Sequence, residues 1–197
     1  VICFLPMFEK TFKKSYLLFT LIASFLFVVS CIEQSVDPEK ANLHKGDPAP
    51  VQEGLDLQTL SSKTTGEYYG KPLLINFFAT WCAPCVREMK SLQEFHQKSG
   101  IDVLLVNVQT AKKQKEILSF LERKGVSLPC IIDDSLQISR TFGIEAFPET
   151  YLVTADGKIA EFVDPQSKTS GVVIRGARSW GSEKMISAVK LALEEPK

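Results

Sequence analysis

The sequence of 197 residues is short of several things, and each shortage excludes something. It has five cysteines, too few for a chain of this length to be stapled as a disulfide scaffold. Lys plus Arg and Asp plus Glu are both 23, so no excess of one sign points to nucleic acid. There are only two histidines, and no second cysteine pair stands beside the first. The apolar run Ser15 to Ser30 falls short of the roughly 20 residues a membrane-spanning helix needs. No internal repeat and no low-complexity tract is present. What remains is ordinary: 45% hydrophobic and 23% charged, enough for one domain with a real core plus a targeting segment.

The targeting segment comes first. Met7 is read as the start, with Val1 to Pro6 as a misassigned extension. Lys10, Lys13 and Lys14 make a basic n-region, and "SYLLFTLIASFLFVVS" reads as the apolar h-region of a signal peptide over residues 1–30. It ends in "VVSC", which resembles the bacterial lipoprotein cleavage box and implies lipid attachment at Cys31. Such a chain is exported and anchored to a bacterial membrane, facing the periplasm or cell exterior. Residues 31–45 are polar and aperiodic and read as a lipid-anchored linker; 46–197 are the folded domain.

Within the domain, "PLLINFFA" (72–79) is a continuous apolar run, as in a strand covered on both faces. A helix is expected from Ala83 to a stop at Gly100, with Val86, Met89, Leu92 and Phe95 on one side and Gln93 and His96 on the other. A strand at 102–109, a helix over 112–125, a short strand at 129–133 and a short helix over 136–143 follow. "ETYLVT" and "KIAEFV" flank Asp156-Gly157, a strong hairpin signal. Residues 164–171 are turn-rich, "VVIRG" is an edge or return strand, and Ser182 caps a last helix over 183–195. This order gives an α/β fold, a mixed central sheet flanked by helices on both faces.

The chemistry lies in "NFFATWCAPCVREM". A zinc site needs about four ligands. Beyond Cys82, Cys85 and the cysteines at and before the proposed lipid site, only Cys130, His44 and His96 remain, and His96 stands about 16 Å further along the same helix at 1.5 Å per residue. A structural disulfide closing so small a loop removes little unfolded-state entropy. A redox pair explains the position best. Cys82 sits at a helix N-terminus, where free N–H groups and the macrodipole stabilise a thiolate. Pro84 fits the first turn. Cys85, one turn further in, is more covered and suited to resolve a mixed disulfide. A CxxC beside a β-α-β pattern is the redox signal.

At these residues the sequence resembles the thioredoxin superfamily, and within it the exported TlpA/ResA type of thiol:disulfide oxidoreductase. "KGDPAP", "GKPLLINFFATWCAPC", "FGIEAFPETYLVTADGKI" and "RGARSWGS" carry the resemblance in that order, over about Lys45 to Glu195. It implies a thioredoxin-like fold and catalysis by Cys82 and Cys85 as a redox-active disulfide. It makes Pro148 the cis-proline that offers backbone to a substrate, beside Trp81, Ala83, Pro84 and Phe147 as docking residues. The stretch between Cys85 and Pro148 leaves room for the family's added helix and strand. Three departures bear on mechanism. Asn76 stands where thioredoxin has a buried Asp; Glu88 matches the glutamate of the exported reductases; Lys90 replaces a helix-bending proline. Asn76 cannot take a proton, which leaves Glu88 as the expected general base, its pKa raised by burial.

The resemblance favours reduction of disulfides in exported proteins, for instance apocytochromes awaiting haem. The electron donor is then a membrane thiol:disulfide reductase, and neither cofactor nor metal is expected. An exported oxidase or isomerase, or a non-catalytic metallochaperone on the same fold, are the alternatives. Cys130 reads as a buried small hydrophobe, Phe77 and Phe78 as core on opposite strand faces, and Trp180 as packing at the start of the last helix.

Overall fold

The apolar run ahead of the cysteines becomes a strand whose every residue is buried, paired on both edges. The computed structural model describes residues 42–194; Cys31 and the rest of the targeting segment lie outside the described residues. In chain order the elements are β1 (Glu53–Asp56), β2 (Ser62–Thr64), β3 (Leu73–Phe78), α1 (Ala83–Ser99), β4 (Asp102–Asn107), α2 (Gln114–Arg123) and β5 (Cys130–Ile132). They continue with α3 (Gln137–Thr141), β6 (Glu149–Val153), β7 (Phe162–Val163), β8 (Ser170–Gly171), β9 (Val173–Arg175) and α4 (Glu183–Glu194). Leu43 already packs against the core.

Seven strands form one sheet in the order β2-β1-β5-β4-β3-β6-β9. The parallel trio β3, β4 and β5 is the part that reads as unbroken apolar runs, because both its faces are covered. Antiparallel strands close both flanks. Phe78, Leu105 and Leu152 face α1, α2 and α4 through Met89, Leu92, Phe95, Ile117, Phe120 and Val189. Phe77, Ile75 and Tyr151 face the other way, against Ile138 of α3 and Phe142 at its C-terminal end. The mixed sheet with helices on both faces is as the sequence predicts, and the two phenylalanines do point apart. Each fully buried apolar side chain contributes roughly 1.5–3 kcal/mol relative to exposure.

Helix α1 starts on Cys82, whose extended backbone is the N-cap, and stops at Gly100 in the left-handed region at φ 73°. Gln93 is not on the solvent side: it is buried and accepts the Ser127 N–H at 2.8 Å, sealing the loop before β5. His96 is half-buried, with Nδ1 2.9 Å from the Ile101 carbonyl.

Two strand assignments differ from the sequence reading. β1 and β2 carry no apolar run, being a short pair at the sheet edge whose residues are exposed or half-buried. Asp56 holds their turn by accepting the Gln58 and Thr59 N–H groups at 2.9 and 3.0 Å. The Asp-Gly turn forms, with Thr154 N donating to Lys158 O at 2.8 Å, but its returning arm pairs with β6 only at a Val153–Ile159 bridge. Ile159 is instead shared with Gly46 and Asp47, so the chain turns away to pair β7 with β8. The edge of β6 goes to β9, the "VVIRG" segment.

Candidate active site

Cys82 and Cys85 are joined as a disulfide where β3 hands over to α1. The Cys82 sulfur also accepts the Cys85 N–H at 3.2 Å, so it serves as the helix N-cap. That is the position at which the macrodipole favours negative charge, and a thiolate freed by reduction would sit on it. Cys82 is 5% exposed and Cys85 fully enclosed. The order of access is as expected, although both sulfurs are largely covered in this oxidised state.

Around the pair the surface is apolar. Trp81 is 69% exposed, the largest outward aromatic of the domain, and meets Phe147 edge-to-face at 6.0 Å. Ala83 is exposed and Pro84 half-buried. The Phe147–Pro148 peptide bond is cis, as the resemblance implies, and Pro148 is buried. Its carbonyl accepts the Gly176 N–H at 2.8 Å. The loop before Trp81 is held from the β4–α2 connection and from α2: Thr80 N donates to Gln109 Oε1 at 2.8 Å and Thr80 Oγ1 to Glu116 Oε1 at 3.0 Å.

Glu88 shares the buried face of α1 with Cys85 and Met89 and is itself 2% exposed. Lys90 points outward while α1 runs unbroken through it, so the missing proline does not turn Glu88 away. Its Oε1 accepts from Asn76 Nδ2 at 2.9 Å; its Oε2 accepts from Arg178 N at 2.9 Å and Trp180 Nε1 at 3.0 Å. Burial pushes the Glu88 pKa above the ordinary glutamate value and outweighs the lowering by the Arg178 N–H, Asn76 and Trp180. Asn76 also donates to Thr150 Oγ1 at 2.9 Å. The residue that replaces thioredoxin's aspartate therefore supports the carboxylate rather than substituting for it.

Sequence reasoning missed three of these partners. Trp180 was expected only to pack; it does, edge-to-face on Phe95 at 6.2 Å, but its indole N–H also reaches Glu88. Arg178 contributes a backbone N–H and Thr150 a hydroxyl, and neither leaves a local pattern in sequence. Cys130 is free and buried, and desolvation pushes its thiol pKa up, which disfavours the thiolate. Among the described residues no cluster of His, Cys, Asp and Glu is arranged to hold a metal ion.

Comparison with known proteins agrees with this geometry. Residues 44–172 match the Redoxin family. A thiol-disulfide oxidoreductase ResA of Geobacillus thermodenitrificans is 35% identical over 128 residues, 64% of this chain and 72% of the relative. The protein of that description from Bacillus subtilis is 27% identical over 160 residues, 79% of this chain and 85% of its own length. A putative thiol:disulfide interchange protein DsbE from Chlorobium tepidum superposes with a TM-score of 0.58 at 23% identity, covering 77% of this chain and 99% of that one. The last likeness speaks for the thioredoxin-like fold; the first two carry the relationship. The chain belongs to the Redoxin family and, within the thioredoxin superfamily, is a TlpA/ResA-type thiol:disulfide oxidoreductase.

Proposed function

We propose that this protein reduces disulfides of exported partner proteins through Cys82 and Cys85, with apocytochrome cysteines as one client class. One observation carries the reading: a helix-capping Cys82 lies in a disulfide under an exposed apolar rim that includes Trp81 and Phe147. In the reduced protein the Cys82 thiolate attacks one sulfur of a partner disulfide. A Cys82–partner bond forms, the partner's S–S bond breaks, and the second partner sulfur leaves as a thiolate that takes a proton. Cys85 then gives its proton to Glu88 and attacks the Cys82 sulfur. The Cys82–partner bond breaks, the partner leaves as a dithiol, and two electrons have passed to it. The Cys82–Cys85 disulfide is the oxidised end state, and a membrane thiol:disulfide reductase returns the electrons.

The N-terminal reading complements this. A lipid on Cys31 would keep the domain beside such a membrane donor and outside the reducing cytoplasm. Palmitate labelling and detergent partitioning of the full chain should show the anchor, and Cys31→Ser should abolish the label. A Cys31→Ser protein that still takes label rules it out.

The direction of electron flow is tested by equilibrating the purified protein against glutathione buffers and quantifying the Cys82–Cys85 disulfide. A reductant should settle near the thioredoxin value of about −270 mV. A value near the roughly −120 mV of strong oxidants would reverse the assignment and make it an oxidase. Stoichiometric metal on the purified protein would instead support a metallochaperone.

A further inference from the structure

The segment Gly176 to Ser182 joins β9 to α4 without belonging to a helix or a strand, yet it supplies Glu88 with two of its three donors. A backbone N–H in irregular chain has no ladder to hold its direction. Something else must aim it. Arg178 Nε donates to Asp164 Oδ2 at 2.5 Å, with the two side chains only 12% and 3% exposed. Arg178 Nη1 folds back onto the Gly176 and Ala177 carbonyls at 3.1 Å each. Asp164 is itself fixed at the neck of the β7–β8 hairpin, accepting Gln166 N at 2.8 Å and Ser167 Oγ at 2.7 Å. On the other side, Ser91 of α1 places its hydroxyl 3.1 Å from the Arg178 carbonyl and 2.8 Å from that of Glu88.

We propose that Asp164 and Arg178 are positioning residues for the resolving step: their buried ion pair aims the Arg178 backbone N–H at Glu88 and so sets where Glu88 exchanges its proton. This rests on the reading of Glu88 as the acceptor of the Cys85 proton. Neither Asp164 nor Arg178 touches the sulfurs; both act through Glu88. An ion pair this covered is a weak source of stability, because desolvation offsets much of its attraction. What an apolar replacement could not reproduce is the fork that pins both Asp164 and the strap's own carbonyls.

The charged and titratable surroundings of Glu88 are few. The strap brings Arg178, with Asp164 behind it. Helix α1 brings Cys85 on the buried face, while Arg87 and Lys90 point to solvent. The sheet offers neutral Asn76 and Thr150. Glu149 lies on the opposite sheet face with Tyr151, paired to Arg175 at 3.0 Å. Of the hydrogen bonds that hold the Glu88 pKa down against burial, the one from the Arg178 N–H is the strongest. Slackening it should therefore raise that pKa.

The test is the pH dependence of release of a Cys82-linked reporter thiol, paired with a 13C titration of the Glu88 carboxyl. In Asp164→Asn both inflections should move up by roughly 0.5 to 1 pH unit, less than the about 1.1–2.2 units that a full hydrogen bond to a charged group is worth, because the N–H is misaimed rather than lost and the freed Arg178 cation partly opposes the shift. Arg178→Lys keeps the cation but loses the fork; it should shift them the same way by less, and it decides the matter if Asp164→Asn does not fold. Added to Glu88→Gln, the Asp164→Asn change should leave the release profile as it was in Glu88→Gln alone. Inflections in Asp164→Asn or Arg178→Lys that coincide with wild type, beside a flattened Glu88→Gln profile, would overturn the positioning role and leave Glu88 as the base. A Glu88→Gln profile identical to wild type would remove both.

Discussion

Replacing Glu88 by Gln removes a charge while nearly preserving a shape. The wild-type carboxylate takes Asn76 on Oε1 at 2.9 Å, and Arg178 N and Trp180 Nε1 on Oε2 at 2.9 and 3.0 Å. A glutamine can keep its oxygen on the Arg178–Trp180 pair, which turns its NH2 towards Asn76. Asn76 Oδ1 is buried without a hydrogen-bond partner among the described residues. A turned Asn76 amide therefore offers that NH2 an acceptor, and the variant should fold. Donors to a charged acceptor are worth roughly 1.5–3 kcal/mol each, yet burial prevails and the pKa is raised. Glu88 thus holds its proton to higher pH than an exposed glutamate, the direction that suits a group proposed to accept a proton from a thiol. Losing a general base costs about 10²-fold, or roughly 2.7 kcal/mol of barrier. Stopped-flow release of a Cys82-linked reporter should rise through the Glu88 titration in wild type and be slower, without that inflection, in Glu88→Gln. Stability provides a second readout. The raised pKa means that the folded state binds the proton more tightly than the unfolded chain. Wild type is then most favoured below the unfolded carboxylate value and loses stability as pH rises through the folded one; Glu88→Gln should lack that decline. Superimposable release profiles would refute the reasoning.

Asn76→Asp places a second carboxylate against Glu88 Oε1, where the amide now donates at 2.9 Å. The pair should titrate in two steps with the upper one raised, and the variant should lose roughly 2 kcal/mol or more relative to wild type between about pH 5 and about pH 8, read by urea unfolding. Trp81→Ala removes a largely exposed ring that meets Phe147 edge-to-face. Stability should stay within about 0.5 kcal/mol, while KM for a protein disulfide rises roughly tenfold or more and that for a small disulfide barely moves, as for an aromatic docking anchor.

The fold was legible wherever burial on both faces wrote continuous apolar runs. β3 to β6 and the four helices stand close to where period and stop signals put them. β1 and β2 were not legible, because a short edge pair held by Asp56 needs no apolar run. The Asp-Gly turn was real but did not determine the partner of β6, since Ile159 could pair with either Leu152–Val153 or the Gly46–Pro48 segment. At the site, Cys82 and Cys85 could be read from their spacing at a strand-to-helix turn, whereas Pro148 and Glu88 were singled out through the family resemblance. The donors around Glu88 could not be read. Arg178 and Trp180 lie about ninety positions away in sequence, and a backbone N–H has no residue type to announce it. Gln93 shows the same limit in miniature: polar in pattern, it is buried and its side-chain oxygen is taken by Ser127 of a distant loop.

The central claim, that exchange runs through Cys82 and is resolved by Cys85, is tested most directly by trapping. Each cysteine is replaced by Ser in the full chain, and the disulfide-linked adducts formed in cells are mapped by mass spectrometry. Cys85→Ser should accumulate mixed disulfides through Cys82, the helix-capping and more accessible sulfur, and Cys82→Ser should accumulate essentially none. Adducts gathering chiefly through Cys85 would contradict the account.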